Sequence, residues 1–331
     1  MDQERRAALQ LAKLRALVPT ADAEGELLAF GPVVRNDAEA WTLVEDTTTM
    51  VGAVVWALRA GISRLQVVIE PSDTLDPGSI ASSASLLVRP PITVWRASVD
   101  GLDEVVAPQP QPQTPVPVAP AEAEPLMAVL REHGVEPVVE EGSVTGEIVG
   151  LEVARIDLLS DPPELSVGVG QFDRDLNDML AEMEGTDPAV QLATAARAVG
   201  QHRRPGAAPH PLHRLRRERW LRSAIVADPG IVGCARLVPV PPLPVDGLRA
   251  PSPAPALGES SNGDATLVVC STGVDPALPL VAAQLRQRYA PDARLVLAVP
   301  EADDYPVTRE LAGALGGVVE VRPLVAPWLG A

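Results

Sequence analysis

Apolar and polar positions along the first third of the chain alternate with the periods of helices and of strands. Residues 3–17 place Leu11 and Leu14 on one side of a helix, and an apolar run predicts a second helix that ends at Gly61. The predicted strands cover residues 26–34, 40–45, 65–70, 92–98 and 103–107, with a small-residue helix near 79–87. This mixture predicts an α/β domain over residues 1–106.

Residues 126–236 show the same mixture of helices and strands. The segment opens with a helix that ends at Gly134, and after three strands it continues mainly as helices, which the stretch 203–211 interrupts. The predicted strands cover residues 136–140, 146–157 and 164–169, and the helix after them covers residues 173–183. The pattern predicts a second α/β domain.

The last part of the chain, residues 264–331, has the plainest pattern. Three strand-like runs alternate with two helices, at residues 266–271, 276–289, 294–300, 304–315 and 318–324. This is a βαβαβ unit, and because such crossovers are right-handed in nearly all proteins, a parallel sheet is its expected form. No internal repeat is apparent in the sequence, although all three pieces alternate helix and strand.

Two proline-rich segments divide the chain, and each contains seven prolines. Residues 107–125 lack apolar periodicity and predict a semi-rigid polyproline linker. Residues 237–263 predict a connector, although residues 235–245 could alternatively lie as an irregular edge strand, where proline is tolerated. The predicted fold class is therefore α/β, with two or three mixed α/β units joined by proline-rich segments.

The composition limits the classes of protein to which the chain can belong. Hydrophobic residues make up 46% of the chain and aromatic residues only 3%, so the cores must be built from aliphatic side chains. The net charge of −17 makes the whole chain a poor non-specific binder of nucleic acid or of anionic membranes. The two cysteines form no disulfide framework, the N-terminus lacks the apolar core of a signal peptide, and the longest apolar run, residues 50–58, is too short to span a bilayer. We expect a cytoplasmic protein without a membrane segment.

An acidic residue, Glu152, lies at the centre of the predicted strand 146–157. Both faces of that strand are largely apolar, which is typical of a strand inside a covered sheet. A carboxylate there must be paired, protonated or functional, because burying an unpaired charge is costly. One interpretation is a structural ion pair between Glu152 and an arginine of the basic segment 197–222.

The other interpretation of Glu152 is a metal site. The order helix, three strands and helix in residues 126–183, with Glu147 and Glu152 on its strands, resembles the core of the PD-(D/E)xK restriction-endonuclease-like superfamily. The resemblance implies a metal-dependent nuclease in which Glu147 and Glu152 bind a divalent metal. Glu136 or Glu164 would then supply a further oxygen ligand, and this metal is the only cofactor that the sequence suggests.

The motif of that family is incomplete in this chain. The position two residues after Glu152 is Ala154, and the catalytic lysine has no counterpart, because the only lysine, Lys13, lies in the N-terminal helix. Arg155 would be a poor substitute, since an arginine side chain stays charged. A nuclease of this kind would therefore be degenerate.

The segment 197–222 carries eight arginines and one acid in an otherwise acidic chain. On a single helix over residues 212–222, arginines would point to all sides, so they cannot all lie on one solvated face. They must contact protein carboxylates, a phosphate-bearing ligand or nucleic acid stacked on Trp220, or an acidic protein partner. Three of the four histidines also lie in this segment, without a cysteine at zinc-site spacing. The candidate ligand-binding residues are Arg203, Arg204, Arg214, Arg217, Trp220 and Arg222.

A third candidate site lies at the expected carboxyl edge of the C-terminal sheet. Residues 271–275 follow one strand, with Asp275 as the N-cap and Pro276 at the first position of the next helix. Residues 301–304 follow the next strand, and loops at this edge of a parallel sheet commonly line a ligand crevice. Because neither loop contains a glycine-rich nucleotide motif, an ordinary junction of strand and helix is the alternative.

The leading hypothesis is a non-catalytic binding or assembly protein that holds an anionic ligand or an acidic partner through residues 197–222. The alternatives are the degenerate metal-dependent nuclease and a small-molecule enzyme at loops 271–275 and 301–304. The runs GLEVARI, RERWLRS and VVCSTGVD are similar to sequences of uncharacterised conserved proteins from high-GC, actinobacterial-type bacteria. That resemblance implies a bacterial cytosolic origin and no particular activity.

Overall fold

Three β-sheets, with helices between their strands, organise the chain and confirm the predicted α/β fold class. The structure is a computed structural model that describes residues 3–18, 23–70, 75–110, 112–170, 174, 187–244 and 252–329. The order of helices and strands follows the predicted alternation over most of these residues. The helix predicted over residues 173–183 lies outside the described residues, apart from Arg174.

The first sheet has six strands in the order β1 to β6. Its elements are α1 (Gln3–Leu17), β1 (Glu24–Leu28), β2 (Gly31–Arg35), β3 (Glu39–Val44), α2 (Thr47–Ala60), β4 (Arg64–Ile69), α3 (Pro77–Ser85), β5 (Ile92–Ser98) and β6 (Gly101–Glu104). Strands β1, β2 and β3 are antiparallel neighbours, β3, β4 and β5 are parallel, and β6 is antiparallel to β5. The predicted strand 26–34 is a hairpin instead, because the chain turns at residues 29–30 between β1 and β2.

Helix α2 shows how local sequence sets the ends of an element. The Asp46 carboxylate accepts a hydrogen bond from the Thr49 N–H at 2.7 Å, and the Asp46 N–H donates to the Thr49 hydroxyl at 3.0 Å. This capping box begins the helix, and Gly61, with φ 69°, ends it as predicted. Met50 and Val54 are fully buried between these ends, so the helix is held by its caps and by its apolar side.

The second sheet has the order β10-β9-β8-β7, with every neighbouring pair antiparallel. Its elements and the helices around it are a 3₁₀ turn (Ala121–Ala123), α4 (Glu124–Glu132), β7 (Glu136–Glu140), β8 (Ser143–Ile148), β9 (Leu151–Asp157), β10 (Glu164–Val167), α5 (Pro188–His202), α6 (Pro211–Arg214) and α7 (Arg217–Ala227). Leu130 of α4, Ile156 of β9 and Leu192 of α5 are fully buried in one core. Helices α4 and α5 therefore cover this sheet.

The single strand predicted over residues 146–157 is wrong, because these residues form a tight hairpin of β8 and β9. The chain reverses at Val149 and Gly150, whose φ angles are 47° and 76°. Positive φ at both central residues is typical of the type I′ hairpin turn, and glycine adopts this conformation without strain. The turn places Glu147 opposite Glu152, so the two carboxylates are cross-strand neighbours.

The single helix predicted over residues 212–222 is also wrong. Helix α6 ends at Arg214, and Arg216 has a left-handed conformation with φ 45° before α7 begins. The break turns the arginines on its two sides in different directions. Their environments differ accordingly.

The third sheet has five strands in the order β11 to β15. Its elements are a 3₁₀ turn (Pro229–Val232), β11 (Cys234–Pro239), β12 (Ala254–Ser260), β13 (Ala265–Cys270), α8 (Leu278–Tyr289), β14 (Arg294–Pro300), a 3₁₀ turn (Glu301–Asp303), α9 (Pro306–Ala312) and β15 (Val319–Leu324). Strands β13 and β14 are parallel, as the βαβαβ pattern predicts, whereas β11, β12 and β13 are antiparallel. The predicted connector 237–263 contributes to two of these strands. The edge-strand alternative holds for residues 235–239, because β11 forms one edge of the sheet and ends at Pro239.

The first and third sheets share one arrangement of elements, which is an internal repeat of the fold. In both, a helix precedes three antiparallel strands, and a helix then leads to a parallel strand, a second helix and a further neighbouring strand. Helix α1 packs on β1, β2 and β3 as α7 packs on β11, β12 and β13. The strand registers agree as well. Arg64, the first residue of β4, pairs with Glu39 of β3, and Arg294, the first residue of β14, pairs with Thr266 of β13. The repeat is hidden in the sequence because the two copies share little beyond short runs such as RLQVVIEP and RLVLAVPE.

The chain divides into two units that do not follow chain order. The first unit comprises residues 1–112, 274–287 and 305–320, and the second comprises residues 113–273, 288–304 and 321–331. The first unit thus holds the first sheet with α9 and most of α8, and the second unit holds the second sheet and most of the third. The domain boundaries that we derive from the sequence stay a prediction.

Within the first unit, helices of the two repeat copies meet reciprocally. The equivalent helices are α2 and α8, and α3 and α9. Arg59 of α2 lies 2.9 Å from Glu310 of α9, and Gln284 of α8 donates to the Ser83 hydroxyl of α3 at 2.9 Å. The segments that follow α3 and α9 form an antiparallel bridge with each other. Within this unit, the first helix of each pair therefore contacts the second helix of the other pair.

We expect Gly150→Ala to weaken the packing of the β8–β9 hairpin against α7, since the new Cβ atom would lie 2.3 Å from the Arg219 carbonyl carbon. Gly134→Ala is the matched control, because Gly134 has a similar φ of 69° and open space around it. In urea denaturation, the control should lose about 1 kcal/mol of unfolding free energy from backbone strain, and Gly150→Ala about 3 kcal/mol or more. Equal losses would show that the hairpin does not depend on this close approach.

Candidate functional site

The Glu147 side chain in β8 is almost completely buried, with 1% of its surface exposed. Arg219 donates from Nη1 to Oε1 at 2.5 Å, and Arg222 donates from Nη2 to Oε2 at 2.8 Å. Because the two arginines are three residues apart on α7, they reach the carboxylate from one side of the helix. Burial alone would raise the pKa of the Glu147 carboxyl, but the charges of Arg222 and Arg219 hold that pKa below its usual range. Glu147 is therefore an ionised carboxylate in a buried ion pair.

Two further carboxylates surround this ion pair. Glu140 accepts a hydrogen bond from Arg219 Nη2 at 3.0 Å. Burial would lower the pKa of Arg219, but the charges of Glu147 and Glu140 raise it. Burial, followed by the charge of Glu147, raises the pKa of the Glu136 carboxyl. The network joins α7 to β7 and β8 through charged hydrogen bonds.

The predicted metal ligands have other environments. Guanidinium groups occupy both oxygens of Glu147, and Glu164 is exposed at the start of β10. Among the described residues, no three His, Cys, Asp or Glu side chains are placed to hold a metal ion. The divalent-metal site and the nuclease alternative stay predictions that this geometry does not support.

Glu152 is paired, as expected, but not with the basic segment. Arg155 reaches its two oxygens through Nε and Nη2 at 3.0 Å each, and Arg174 Nη1 lies 2.6 Å from Oε1. The Glu152 side chain keeps 21% of its surface exposed. The predicted partner, an arginine of residues 197–222, is therefore wrong. Glu147 takes that partner instead, because the hairpin turn directs it to α7.

Burial separates the six predicted ligand-binding residues into two groups. The buried residues, each with at most 2% of its surface exposed, are Arg203, Trp220 and Arg222. The exposed or partly exposed residues are Arg204, Arg214 and Arg217. Their role in ligand binding stays a prediction, and the buried three have contacts within the protein.

Arg203, the residue after α5, holds together two backbone segments. Its guanidinium donates to the carbonyl oxygens of Val149 at 2.6 Å and of Leu215 at 2.7 Å. Its Cζ atom lies 4.3 Å from the centre of the Trp220 ring, and its buried Nε has no hydrogen-bond partner among the described residues. Burial lowers the pKa of this guanidinium to about 10. Arg203 therefore supports both the hairpin turn and the break before α7.

Arg217, the first residue of α7, contacts both His213 and Trp328. Its Cζ atom lies 4.9 Å from the centre of the Trp328 ring, and its Nη2 lies 3.3 Å from His213 Nδ1. Because a guanidinium group can only donate, His213 Nδ1 is the acceptor, and the proton of the neutral imidazole is on Nε2. Burial lowers the pKa of Arg217, and the charge of Arg214 lowers it further. The geometry thus fits an uncharged His213.

We refer to Arg203, His213, Arg214 and Arg217 as the basic cluster. None of its three arginines forms an ion pair with a carboxylate of the described residues, and the same is true of the neighbouring Arg204. By contrast, the two arginines that hold Glu147 are fully paired. Arginines with and without carboxylate partners among the described residues therefore lie close together along the chain, and α7 contains both kinds, Arg217 without one and Arg219 and Arg222 with Glu147.

The basic cluster lies beside the loops that follow the strands of the third sheet. Trp328 follows β15, and Asp303, which follows β14, accepts a hydrogen bond from the Gly273 N–H at 2.7 Å. The charge of Asp303 also acts on Arg217 and favours its protonated form. The loop 301–304, which also holds Gly273 of the loop after β13, therefore lies near Arg217 at the carboxyl edge of the sheet, where α/β proteins commonly bind ligands.

The remaining residue of the predicted loop site, Asp275, belongs to the first unit. Its carboxylate accepts a hydrogen bond from the Ala277 N–H at 3.1 Å in the turn before α8. Burial raises the pKa of the Asp275 carboxyl, whereas the backbone hydrogen bonds lower it. Asp275 therefore stabilises the turn that leads into α8, but the predicted N-cap position is wrong, because the helix begins at Leu278 and not at Pro276.

Trp328 and His213 also belong to the site, and neither is among the residues predicted from the sequence to bind a ligand. The rings of Trp220 and Trp328 pack edge to face with their centres 5.9 Å apart, and His213 packs against Trp220 at 5.2 Å. In a chain with 3% aromatic residues, a tryptophan shortly after the last strand is the signal that points to Trp328. No comparable sequence signal distinguishes His213 from the other histidines of the segment.

Comparison with known proteins assigns no family to the chain. No protein-family model matches it, and a search of curated proteins finds no match. The described helices include none that combines the length and the apolar composition of a membrane span.

We expect Glu147→Gln to lose about 3–5 kcal/mol of unfolding free energy in urea denaturation, because it leaves the Arg219 and Arg222 guanidinium groups buried without a full negative charge. Glu152→Gln is the matched control in the same hairpin. Because Glu152 is partly exposed, its loss should be about 1 kcal/mol. A larger loss at Glu152 than at Glu147 would contradict the assignment of the buried ion pair.

His213 should make the stability of the protein depend on pH. Burial lowers the pKa of its imidazole below the ordinary value of 6.5, and the charges of Arg217 and Arg203 lower it further. The unfolded chain then binds a proton that the folded chain does not, so the unfolding free energy falls as the pH drops below about 6.5.

In urea denaturation between about pH 7 and about pH 5.5, we expect His213→Asn to reduce this loss of stability. The control is Arg96→Gln, which changes an exposed arginine of β5 and should leave the pH dependence as it is in the unmutated protein. A His213→Asn variant with an unaltered pH dependence would show that this imidazole is not held neutral.

Proposed function

We propose that this protein is a non-catalytic cytoplasmic protein that binds a compact anionic group, such as a phosphate or a carboxylate, at the basic cluster. The observation that carries the proposal is that Arg203, Arg214 and Arg217 form no ion pair with any described carboxylate. The chain has 44 acidic and 27 basic side chains, so acidic partners are abundant. An anion from outside the chain would supply the missing negative charge.

The position of the cluster supports the same proposal. It lies at the carboxyl edge of the third sheet, beside the loops after β13 and β14. Arg214 is exposed and Arg217 is partly exposed, so each presents N–H donors that suit the oxygens of an anion. The Trp328 ring under the Arg217 guanidinium would hold that group in a fixed orientation.

The chemistry of the cluster favours binding over catalysis. Guanidinium groups keep their protons at neutral pH and do not act as acids or bases. Cys270, at the end of β13, is completely buried, and burial raises the pKa of its thiol to about 12. It is therefore a protonated thiol, not the thiolate that a nucleophile requires.

The charge of the rest of the chain favours a small anion over a polymeric one. The net charge of −17 includes the eight arginines of residues 197–222, so the remainder of the chain is more acidic still. That charge repels a long polyanion such as nucleic acid, whereas a compact anion meets mainly the local positive groups.

Isothermal titration calorimetry at low ionic strength tests the proposal, with sulfate, inorganic phosphate and pyrophosphate as probes. We expect binding that weakens with added sodium chloride. The Arg214→Gln/Arg217→Gln double variant should bind at least about tenfold more weakly, because hydrogen bonds to charged groups contribute about 1.5 kcal/mol or more. The matched control, Arg96→Gln, should bind like the unmutated protein, and circular dichroism checks that each variant is folded.

Two results would contradict the proposed function. One is the absence of measurable binding for all three anions, and the other is equal affinity in the double variant and in the control. Tighter binding of a poly-glutamate peptide than of any small anion, with the same dependence on Arg214 and Arg217, would support an acidic protein partner instead.

A further inference from the structure

His213 lies inside the basic cluster and is the member whose charge can change near neutral pH. Its side chain is largely buried, with 9% of the residue surface exposed. Nδ1 faces Arg217 Nη2 at 3.3 Å, and the ring packs edge-on against Trp220. Without an anion, these surroundings favour the uncharged imidazole.

The charged groups that act on His213 are all positive. By element, they are Arg203 after α5, Arg214 in α6 and Arg217 in α7. The Trp328 backbone favours the protonated ring but does not outweigh burial and these charges, and His213 Nε2 has no hydrogen-bond partner among the described residues. The nearby acids Asp303 and Glu218 act on the arginines Arg217 and Arg203. A further negative charge would have to come from a ligand.

We infer that the basic cluster binds its anion together with a proton, and that His213 carries this proton. The inference rests on the proposed function of the cluster as an anion site. An anion that enters beside the arginines opposes the positive potential that keeps His213 neutral. Because the coupling of two binding events is reciprocal, protonated His213 then strengthens anion binding by the same free energy.

The proton also changes the hydrogen bonding of Arg217. It comes from the solvent and forms a bond to the lone pair of His213 Nδ1, which otherwise accepts from Arg217 Nη2. In the imidazolium both ring nitrogens are donors, so Nδ1 can no longer accept. The Nη2 group is released and can donate to the anion. One protonation thus adds a positive charge and frees a donor.

The other two histidines of the segment have separate surroundings. The rings of His202 and His210 stack with their centres 3.7 Å apart, and His210 Nδ1 accepts the N–H of Leu212 at 3.3 Å. Neither ring is among the groups that act on His213. A substitution at His213 therefore distinguishes its proton from theirs.

Sulfate is the probe for this inference, because it stays a dianion throughout the neutral range and any proton taken up must go to the protein. Calorimetry at about pH 7 in two buffers of different ionisation enthalpy gives the number of protons taken up per sulfate bound. We expect uptake of a fraction of one proton, and an affinity that rises about three- to tenfold from about pH 8 to about pH 6. His213→Asn should abolish the uptake and flatten the pH dependence, whereas Arg96→Gln should keep both.

NMR titration of the His213 imidazole in the unmutated protein gives a second answer that needs no substitution. We expect added sulfate to raise the pKa of this imidazole. An imidazole that titrates identically with and without sulfate would overturn the inference.

The outcomes distinguish the inference from the proposed function. Sulfate binding that depends on Arg214 and Arg217 but takes up no proton overturns the inference and leaves the anion site intact. Absence of sulfate binding overturns the inference, and absence of phosphate and pyrophosphate binding as well overturns both. Sulfate binding that is the same in the arginine double variant also overturns both.

Discussion

The ion pair of Glu147 with Arg219 and Arg222 is the interaction on which the second unit depends. A charged carboxylate is tolerated inside the β8–β9 hairpin because α7 brings two guanidinium groups to it. A shift of the helix by one residue would leave these charges unpaired, so the pairing selects one register of α7 on the hairpin. Helix α7 also buries Trp220 and Leu221 in the core of the third sheet. The register that the ion pair selects therefore also fixes how α7 packs on that sheet.

Close backbone packing acts together with these charges. Gly150 lets the hairpin turn approach the backbone of α7 more closely than any side chain would allow. Arg203 then joins the Val149 carbonyl to the chain segment between α6 and α7, and its guanidinium lies over Trp220. The arrangement of the basic cluster therefore follows from the hairpin, although the hairpin contributes no residue to it.

The α/β class and most elements could be predicted because their signals are local, such as the periodicity of α1 and the glycine that ends α2. The hairpin could not be predicted, because Val149 is β-branched and such residues disfavour the positive φ that it adopts. In the sequence, Val149 therefore indicates a continuous strand. The sequence indicated that the arginines of 197–222 need partners. It could not indicate which of these arginines pair with carboxylates. That depends on the direction in which the hairpin turn points Glu147, and on the interruption between α6 and α7, which sets the directions of Arg214 and Arg217. Trp328 joins them only through tertiary packing.

The internal repeat gives the chain two comparable sheet edges, and their charges differ. At the first sheet, Arg6 of α1 pairs with Glu45 after β3, and Lys13 of α1 pairs with Glu70 after β4. At the third sheet, the equivalent helix α7 begins with Arg217, which has no such ion pair among the described residues. Two identical chains related by a two-fold axis must carry the same residues, whereas two copies fused in one chain are free to diverge. The proposed site therefore has a stoichiometry of one anion per chain rather than one per copy of the fold.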